Sequence, residues 1–413
     1  MTSKNRSGHE GMNRRSFLKI ATVAALGRRA TARVLLLLNA DENAPLAKVE
    51  WMVYDTGRRD GSRASEHRCV VRIWTTTGVQ GWAETSATAM PDNSTAASIR
   101  EALIGRNVSQ HDAIWRTLYQ QGLPLGTLAA VDIALWDLRG RIADKPVHAL
   151  LGTQRQKART YASTPFNLGE PDKYAQYALA CKEKGLHGCK VHPYIEWGAS
   201  RDGLPHGGFP DKDMAAYRAV RDAVGSEFPC MADNYCTYVY DDALRVGRLL
   251  DELQYDWYES PMPESDAWRE RYTRLSGELR TPVCAPETHP DSYPARVLWV
   301  TAKACDIARI DAGLGGFTAC LELAGACEAA GIPLELHDLG PDSYPHRQLI
   351  GATSESLIQY VEIQDLAPVP GSVRPGRATP EPVFDSEGCV AIPQTPGMGL
   401  ELDWRYIYTH RVS

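Results

Sequence analysis

Between residues 157 and 363, short apolar runs alternate with longer segments that have helical periodicity. One such segment carries an apolar stripe at Met214, Tyr217, Val220 and Val224, just before Gly225. Apolar positions three and four residues apart predict a helix whose stripe faces a core. The alternation repeats about every 25–30 residues, as βα units do, so we predict parallel strands that close into a barrel.

The same helical spacing of apolar positions predicts further helices. They are the segment around Leu244–Leu253 with Asp241 and Asp242 as caps, a helix from Ser265, and a helix over 316–330. Residues 47–90 alternate instead with period two, which predicts three strands, and residues 94–150 are helical in pattern. We therefore divide the chain into a 1–46 leader, an α+β domain at 47–156, a barrel at 157–369 and a returning tail at 370–413.

Acidic residues end three consecutive predicted strands at nearly constant intervals. They are Asp233, Glu259 and Glu287, with 259 − 233 = 26 and 287 − 259 = 28. Parallel strands of a barrel end on one face, so these carboxylates point to one spot, where they repel unless a cation lies between them. Oxygen ligands favour a hard ion, and the sequence therefore predicts a Mg²⁺ site.

The ordered series of strand ends resembles the enolase superfamily, within it the mandelate racemase / muconate lactonizing enzyme-like branch. The resemblance covers roughly residues 47–405. The matching residues are Lys190-Val-His192, Asp233, Tyr258-Glu259-Ser-Pro, Ala-Pro-Glu287, Asp311-Ala-Gly-Leu-Gly-Gly316, His337 and Glu362, with Ala129-Ala-Val-Asp132-Ile-Ala-Leu-Trp136-Asp137 and Leu150-Leu-Gly152 before them. It implies a modified TIM barrel, (β/α)7β, with an N-terminal α+β capping domain.

The resemblance also implies roles for individual residues. The three acids bind Mg²⁺, which spreads the charge of an enolate formed by loss of the proton next to a substrate carboxylate. His337 is then the acid or base on one face of the substrate, and Asp311 holds its imidazole. Lys190 is a cation beside the substrate carboxylate. Glu362 hydrogen-bonds the enolate oxygen.

Two departures from the family pattern concern the walls of the site. His192 stands where relatives carry a second Lys as base, so it is either the base on the opposite face or a substrate-binding residue. Asn234 follows Asp233 directly, and Tyr235 takes the next inward position. We expect Asn234, Tyr235 and His289 to contact substrate, together with Arg63 from the capping loop.

These residues leave several reactions open. The polar mouth suits a hydroxylated acid, and we favour dehydration of an aldonate or aldarate to a 2-keto-3-deoxy acid. The alternatives are a racemase or epimerase of a 2-hydroxy acid, a lactone cycloisomerase, and a non-catalytic sugar-acid-binding barrel. The resemblance further implies a homo-oligomer.

Composition and the leader limit the partners. A net charge of −6 without a long basic run disfavours nucleic acid, and no apolar run reaches the roughly 18–20 residues of a membrane helix. Residues 13–19, Asn-Arg-Arg-Ser-Phe-Leu-Lys, resemble a twin-arginine signal, which predicts export to the periplasm or beyond, although Arg28, Arg29 and Arg33 interrupt its apolar region. A cytoplasmic protein with a basic tail is the alternative. The ten cysteines are scattered and read as core residues rather than disulfides.

Overall fold

The computed structural model describes residues 44–59, 65–198, 204, 206–337, 343–364 and 366–412. The predicted export signal and Arg63 lie outside the described residues, and both stay predictions. In the described part of the chain, no helix is long and apolar enough to cross a membrane. All ten cysteines are free and buried, in agreement with the prediction.

The capping domain begins with an antiparallel sheet in the order β1-β2-β3. Its strands are β1 (Leu46–Arg59), β2 (Ser65–Thr75) and β3 (Gln80–Ser86). Trp51 pairs with Val71, and Val71 in turn with Ala83, so the apolar positions of the three strands align across the sheet. This alignment is what the period-two pattern predicted.

Helices follow the sheet in the cap, and two of them, Asn93–Leu103 and Leu125–Ile142, lie against its strands. They are α1 (Asn93–Leu103), α2 (His111–Gln120), α3 (Leu125–Ile142) and α4 (Val147–Leu151). Helix α3 approaches the sheet so closely at Gly81 that a Cβ there would lie 2.4 Å from the amide nitrogen of Leu138. Only glycine fits at this contact.

Among the described residues, eight parallel strands form the barrel. In chain order they are β4 (Lys157–Ser163), β5 (Cys189–Val191), β8 (Cys230–Asp233), β9 (Trp257–Glu259), β10 (Val283–Cys284), β11 (Ala308–Ile310), β12 (Leu334–Leu336) and β13 (Tyr360–Ile363). The loop after β5 also contains a small hairpin of β6 (Ile195–Glu196) and β7 (Gly207–Gly208), which pair with each other. The order β10-β9-β8-β5-β4-β13 forms one sheet, and β11 pairs with β12. A parallel bridge between Cys284 and Ile307 joins β10 to the start of β11. The Leu334 amide donates to the Leu357 carbonyl (2.7 Å), which links β12 to the segment before β13. The predicted barrel is confirmed.

Helices surround the barrel on its outside. They are α5 (Pro171–Glu183), α6 (Pro210–Val224), α7 (Tyr240–Leu253), α8 (Arg269–Glu278), α9 (Tyr293–Thr301), α10 (Phe317–Ala330) and α11 (Tyr344–Ala352). The predicted start at Ser265 was wrong, because a turn closed by the Trp268 amide on the Ser265 carbonyl precedes α8. Asp241 and Asp242 lie in the first turn of α7 rather than at its cap position.

The C-terminal tail contacts both domains. Its strand β14 (Cys389–Ala391) pairs antiparallel with β4, and it ends in α12 (Trp404–Thr409). The Trp82 indole of the cap donates to the Leu400 carbonyl (2.8 Å), and Arg377 forms an ion pair with Glu84 (2.6 Å). The tail therefore fixes the cap to the barrel.

The barrel interior has its own apolar layer, separate from the core between strands and helices. It consists of Tyr161, Met231, Trp257, Cys284, Ile307 and Tyr360. This layer lies directly below the charged groups at the carboxyl ends of the strands.

Candidate active site

The three predicted metal ligands come together at the carboxyl ends of neighbouring strands. Asp233 and Glu259 are the last residues of β8 and β9 and pair in register, and Glu287 lies three residues after β10. One ligand atom from each lies within 4.8 Å of the others. The three residues are 2%, 0% and 9% exposed. An oxygen-only set this compact fits a hard divalent cation.

Two cations from the barrel interior neutralise part of this acidic group. Lys190 Nζ lies 3.1 Å from Glu259, 3.5 Å from Asp233 and 3.0 Å from Glu362. Burial favours the neutral amine, but Glu259 and Glu362 outweigh it and hold the pKa of Lys190 well above its usual value. Lys190 is therefore charged in this arrangement.

Arg309 is the second cation, and the sequence reasoning missed it. Its Nε lies 2.8 Å from Glu259 and 2.9 Å from Glu287, and its Nη2 lies 2.8 Å from Glu362. The sequence did contain a signal that Arg309 faces the inside of the barrel. Residues two positions apart on a strand face the same side, and Arg309 stands two positions before Asp311. That alternation places a guanidinium inside the barrel.

His337 and Asp311 form a hydrogen-bonded pair beside the triad. His337 Nδ1 lies 2.9 Å from Asp311, and its Nε2 lies 3.6 Å from Glu287. Burial lowers the pKa of His337, but Glu287 and Asp311 outweigh burial and raise it to about 10. Burial likewise raises the pKa of Asp311, and the hydrogen bond with His337 overcomes it and lowers the value to about 2. The pair is an imidazolium held by a carboxylate.

His192 lies on the opposite side of the triad, against Asp233. Its Nε2 is 3.2 Å from Asp233, and its Nδ1 is hydrogen-bonded to the Thr164 carbonyl. Burial lowers the pKa of His192, but Asp233 outweighs burial and raises it. The ring is only 8% exposed. Both ring nitrogens are thus engaged.

Glu362 closes the acidic group from β13. It binds Lys190 and Arg309 and accepts a hydrogen bond from the Ser163 hydroxyl. Burial opposes its ionisation, but the two cations hold its pKa well below the usual range. Glu362 is therefore a charged acceptor next to Lys190.

The predicted substrate-binding residues have different surroundings. Asn234 is fully buried, and its amide bonds Tyr217 (3.1 Å) and Tyr238 (2.8 Å). Successive strand residues point to opposite sides, so Asn234 faces away from Asp233, and we no longer expect it to bind substrate. Tyr235 has φ +47° and is partly exposed at the mouth.

His289 lies deeper than expected. It is 5% exposed, and its Nε2 is 3.8 Å from Asp266 and has no hydrogen-bond partner in the described part of the chain. Burial lowers the pKa of His289, which favours the neutral imidazole. Its contact with substrate stays a prediction.

Comparison with known proteins gives two family matches. The model "Enolase C-terminal domain-like" matches residues 173–406, and the model "Mandelate racemase / muconate lactonizing enzyme, N-terminal domain" matches residues 49–152. The two matches cover the barrel with its tail and the cap.

Individual relatives act on sugar acids. A D-galactarolactone cycloisomerase of Agrobacterium fabrum strain C58 is 28% identical over 81% of this chain and 88% of its own length. An L-talarate/galactarate dehydratase of Salmonella typhimurium strain LT2 is 27% identical over 60% of this chain and 63% of its own. The solved structure of a D-glucarate dehydratase from Agrobacterium tumefaciens, complexed with magnesium, is 28% identical with a TM-score of 0.78, covering 90% of this chain and 100% of that one.

Proposed function

The chain belongs to the mandelate racemase / muconate lactonizing enzyme family of the enolase superfamily, and from this premise we propose that it removes the proton next to the carboxylate of a sugar acid with the help of Mg²⁺. Loss of water from the adjacent carbon then gives a 2-keto-3-deoxy acid. The observation that carries the proposal is the carboxylate triad, within 4.8 Å, beside a His–Asp pair.

The acids fit the metal that this chemistry needs. Asp233, Glu259 and Glu287 would hold Mg²⁺, and the donor set is oxygen only. When bound, Mg²⁺ spreads the negative charge that grows on the substrate carboxylate as the neighbouring proton leaves. The magnesium in the related D-glucarate dehydratase structure supports this choice of ion.

His337 is the group that we assign to proton transfer. Because Glu287 and Asp311 keep it protonated, it is an acid in the present arrangement. If Glu287 holds a metal ion, less of its charge would act on the ring, and His337 would then accept a proton more readily. Asp311 keeps the ring oriented through Nδ1 and leaves Nε2 for the substrate.

Lys190, Arg309 and Glu362 complete the charge balance. Lys190 is positioned to pair with the substrate carboxylate, since it already bridges Asp233, Glu259 and Glu362. The pair of Glu362 and Lys190 supplies a fixed, buried acceptor and donor, and groups held away from water act strongly on developing charge.

A second candidate reaction starts with the same proton. The cycloisomerase relative covers most of this chain, so its reaction class also deserves a test. If the oxygen on the adjacent carbon belongs to a ring, its departure opens the ring and no water is lost. The product then has the mass of the substrate, whereas dehydration removes one water.

The test is exchange of the substrate α-proton in D₂O with Mg²⁺ present. We expect exchange with some member of a panel of aldonates, aldarates and their lactones, and none with the Glu259→Gln variant, which lacks one ligand charge. Glu227→Gln, an exposed position, is the matched control. Neither exchange nor release of a keto acid with any member of the panel would contradict the proposal and favour a binding protein.

A further inference from the structure

A cluster of aromatic rings forms one wall beside the proposed metal site. It joins Phe166 from the loop after β4, His192 and Trp197 from the segment after β5, His206 and Tyr235, and we call these five residues the aromatic wall. Phe166 is its centre, with ring centroids 4.3 Å from His192, 5.2 Å from Trp197 and 5.2 Å from Tyr235. Three separate segments therefore converge on one surface.

The outer member of the wall is strongly exposed. Trp197 is 53% exposed although Phe166, His206 and Tyr235 surround it. These three rings meet the indole at angles of 70–72°, so none of them stacks flat against it. A large apolar ring kept in water next to a concave site is typical of a surface that a ligand covers.

The wall is continuous with the catalytic groups. Its inner member, His192, lies 3.2 Å from Asp233, and the Tyr235 amide donates to the other oxygen of Asp233 (2.9 Å). Exposure rises outwards, from the buried His192 through the partly buried Phe166 and Tyr235 to Trp197. A substrate held by its carboxylate at the triad and extending to this side runs along the wall.

We propose that the aromatic wall is a subsite for a closed sugar ring of the substrate, whose C–H face stacks on Trp197. This inference rests on the proposed function for the position of the carboxylate. A sugar ring presents C–H bonds on its faces and hydroxyls at its rim. Polar partners for those hydroxyls are the partly exposed His206, whose ring centroid lies 5.0 Å from that of Trp197, and the exposed Glu196, its neighbour in the chain. The ring either begins at the carbon next to the one that bears the carboxylate, as in a 1,4-lactone, or is attached to an open-chain aldonate.

A neutral probe tests the subsite apart from catalysis. Saturation-transfer NMR of methyl β-D-galactopyranoside, without Mg²⁺, is expected to show transfer from the wild type to the ring C–H protons. Transfer is lost in Trp197→Ala, retained in Trp197→Phe, and unchanged in Tyr408→Ala, a control of similar exposure (47%) on the terminal helix. Absence of transfer in the wild type, or equal transfer in Trp197→Ala, overturns the proposal.

Matched acids test the link to the substrate. With Mg²⁺ present, calorimetry compares gluconate with lactobionate, which adds a galactosyl ring, and galactarate with its 1,4-lactone. We expect one ring-bearing acid to bind about tenfold more tightly than its partner, and Trp197→Ala to abolish this preference. Tighter binding of lactobionate than of gluconate identifies an attached ring. Tighter binding of the lactone than of galactarate identifies a ring that contains the departing oxygen.

Two outcomes separate this inference from the proposed function. Exchange of the α-proton together with equal binding of both members of each pair overturns the subsite alone. Transfer to the neutral glycoside without any exchange overturns the proposed function and leaves the subsite standing.

Discussion

Two histidines face the carboxylate triad from opposite sides, and their surroundings differ. His337 has a carboxylate partner on Nδ1 and its side chain is 25% exposed, whereas His192 has a backbone carbonyl on Nδ1 and its side chain is 9% exposed. The Nε2 atom of His192 lies 3.2 Å from Asp233, and the Nε2 atom of His337 lies 3.6 Å from Glu287. From these different partners we propose proton transfer as the role of His337 and ligand binding as the role of His192.

The two buried cations follow the same division. Lys190 pairs with Asp233, on the side of His192, and Arg309 pairs with Glu287, on the side of His337. Both also pair with Glu259 and Glu362, which lie between the two sides. We conclude that the site has two differently supported halves, and the following changes separate them.

The largest effect is expected from His337→Asn. Loss of the group that moves the proton should lower kcat/KM by about a thousandfold, while Mg²⁺ binding persists. Steady-state kinetics and metal titration measure the two quantities. His67→Asn, an exposed histidine of the cap, should behave as wild type. Near-normal turnover in His337→Asn would show that another group, on the side of His192, moves the proton.

Arg309→Gln tests whether the His337 half depends on its own cation. Three carboxylates lose a buried partner, so the free energy of unfolding should fall by about 3–5 kcal/mol. Urea unfolding in EDTA measures this, and added Mg²⁺ should recover more stability in the variant than in the wild type. Arg221→Gln, which loses bonds only to backbone carbonyls, is the control and should show no such extra recovery. A fall below about 1 kcal/mol would show that the acids do not need Arg309.

Asp311→Asn weakens the support of His337 without removing the ring. We expect kcat to fall about a hundredfold and the pKa of His337 to decrease, because a carboxylate that raises that pKa has been neutralised. NMR titration of the imidazole Cε1 proton follows the pKa. Asp251→Asn, whose carboxylate accepts from the Arg280 and Thr281 amides before β10, is the control and should leave the His337 titration in place. An unchanged pKa in Asp311→Asn would remove Asp311 from this role.

His192→Asn probes the other half and should have a smaller effect. Because both ring nitrogens are engaged, we expect a binding role, with KM rising about tenfold for substrates of either C2 configuration and kcat nearly constant. Kinetics with both epimers of the active acid measure this. Loss of activity toward one configuration alone would make His192 a base.

The sequence predicted the barrel and the triad well for a physical reason. Parallel strands end on one face, so evenly spaced acids must converge, and Asp233, Glu259 and Glu287 do. Asn234 differs from the other expected substrate contacts because it is fully buried and bonded to Tyr217 and Tyr238. The ion pairs of Arg309 depend on which carboxylates lie across the barrel, and this is set by closure of eight strands rather than by any local pattern.

The aromatic wall shows a different limit of sequence reasoning. Phe166, Trp197 and Tyr235 stand on three segments whose meeting depends on loop conformation. Tyr235 reaches the wall with a positive φ of 47°, a backbone state that few residues other than glycine adopt. Polar groups at the mouth were visible in the sequence, but their arrangement around an exposed indole was not.

The smallest effect concerns Glu335, which lies beside Arg309 on the neighbouring strand of the His337 half. Its Oε2 is buried and has no hydrogen-bond partner among the described residues. Burial raises the pKa of Glu335 to about 8, from an ordinary value of 4.5. Between these two pH values the folded chain keeps a proton that the unfolded chain releases. The contribution of Glu335 to stability is therefore complete below pH 4.5 and is lost as pH rises to 8.

Glu335→Gln should remove this dependence, which is at most about 1.4 kcal/mol per pH unit. Urea unfolding of the variant and the wild type at pH 5.5 and 7.5 measures it, and the variant should gain relative stability at the higher pH. Glu355→Gln, an exposed control, should leave the difference between the two pH values unchanged. If Glu335→Gln is instead less stable at pH 7.5, the carboxylate is ionised and shares Arg309. In that case Arg309 pairs with Glu335 as well as with the acids of the site, and the two halves are less distinct than their geometry indicates.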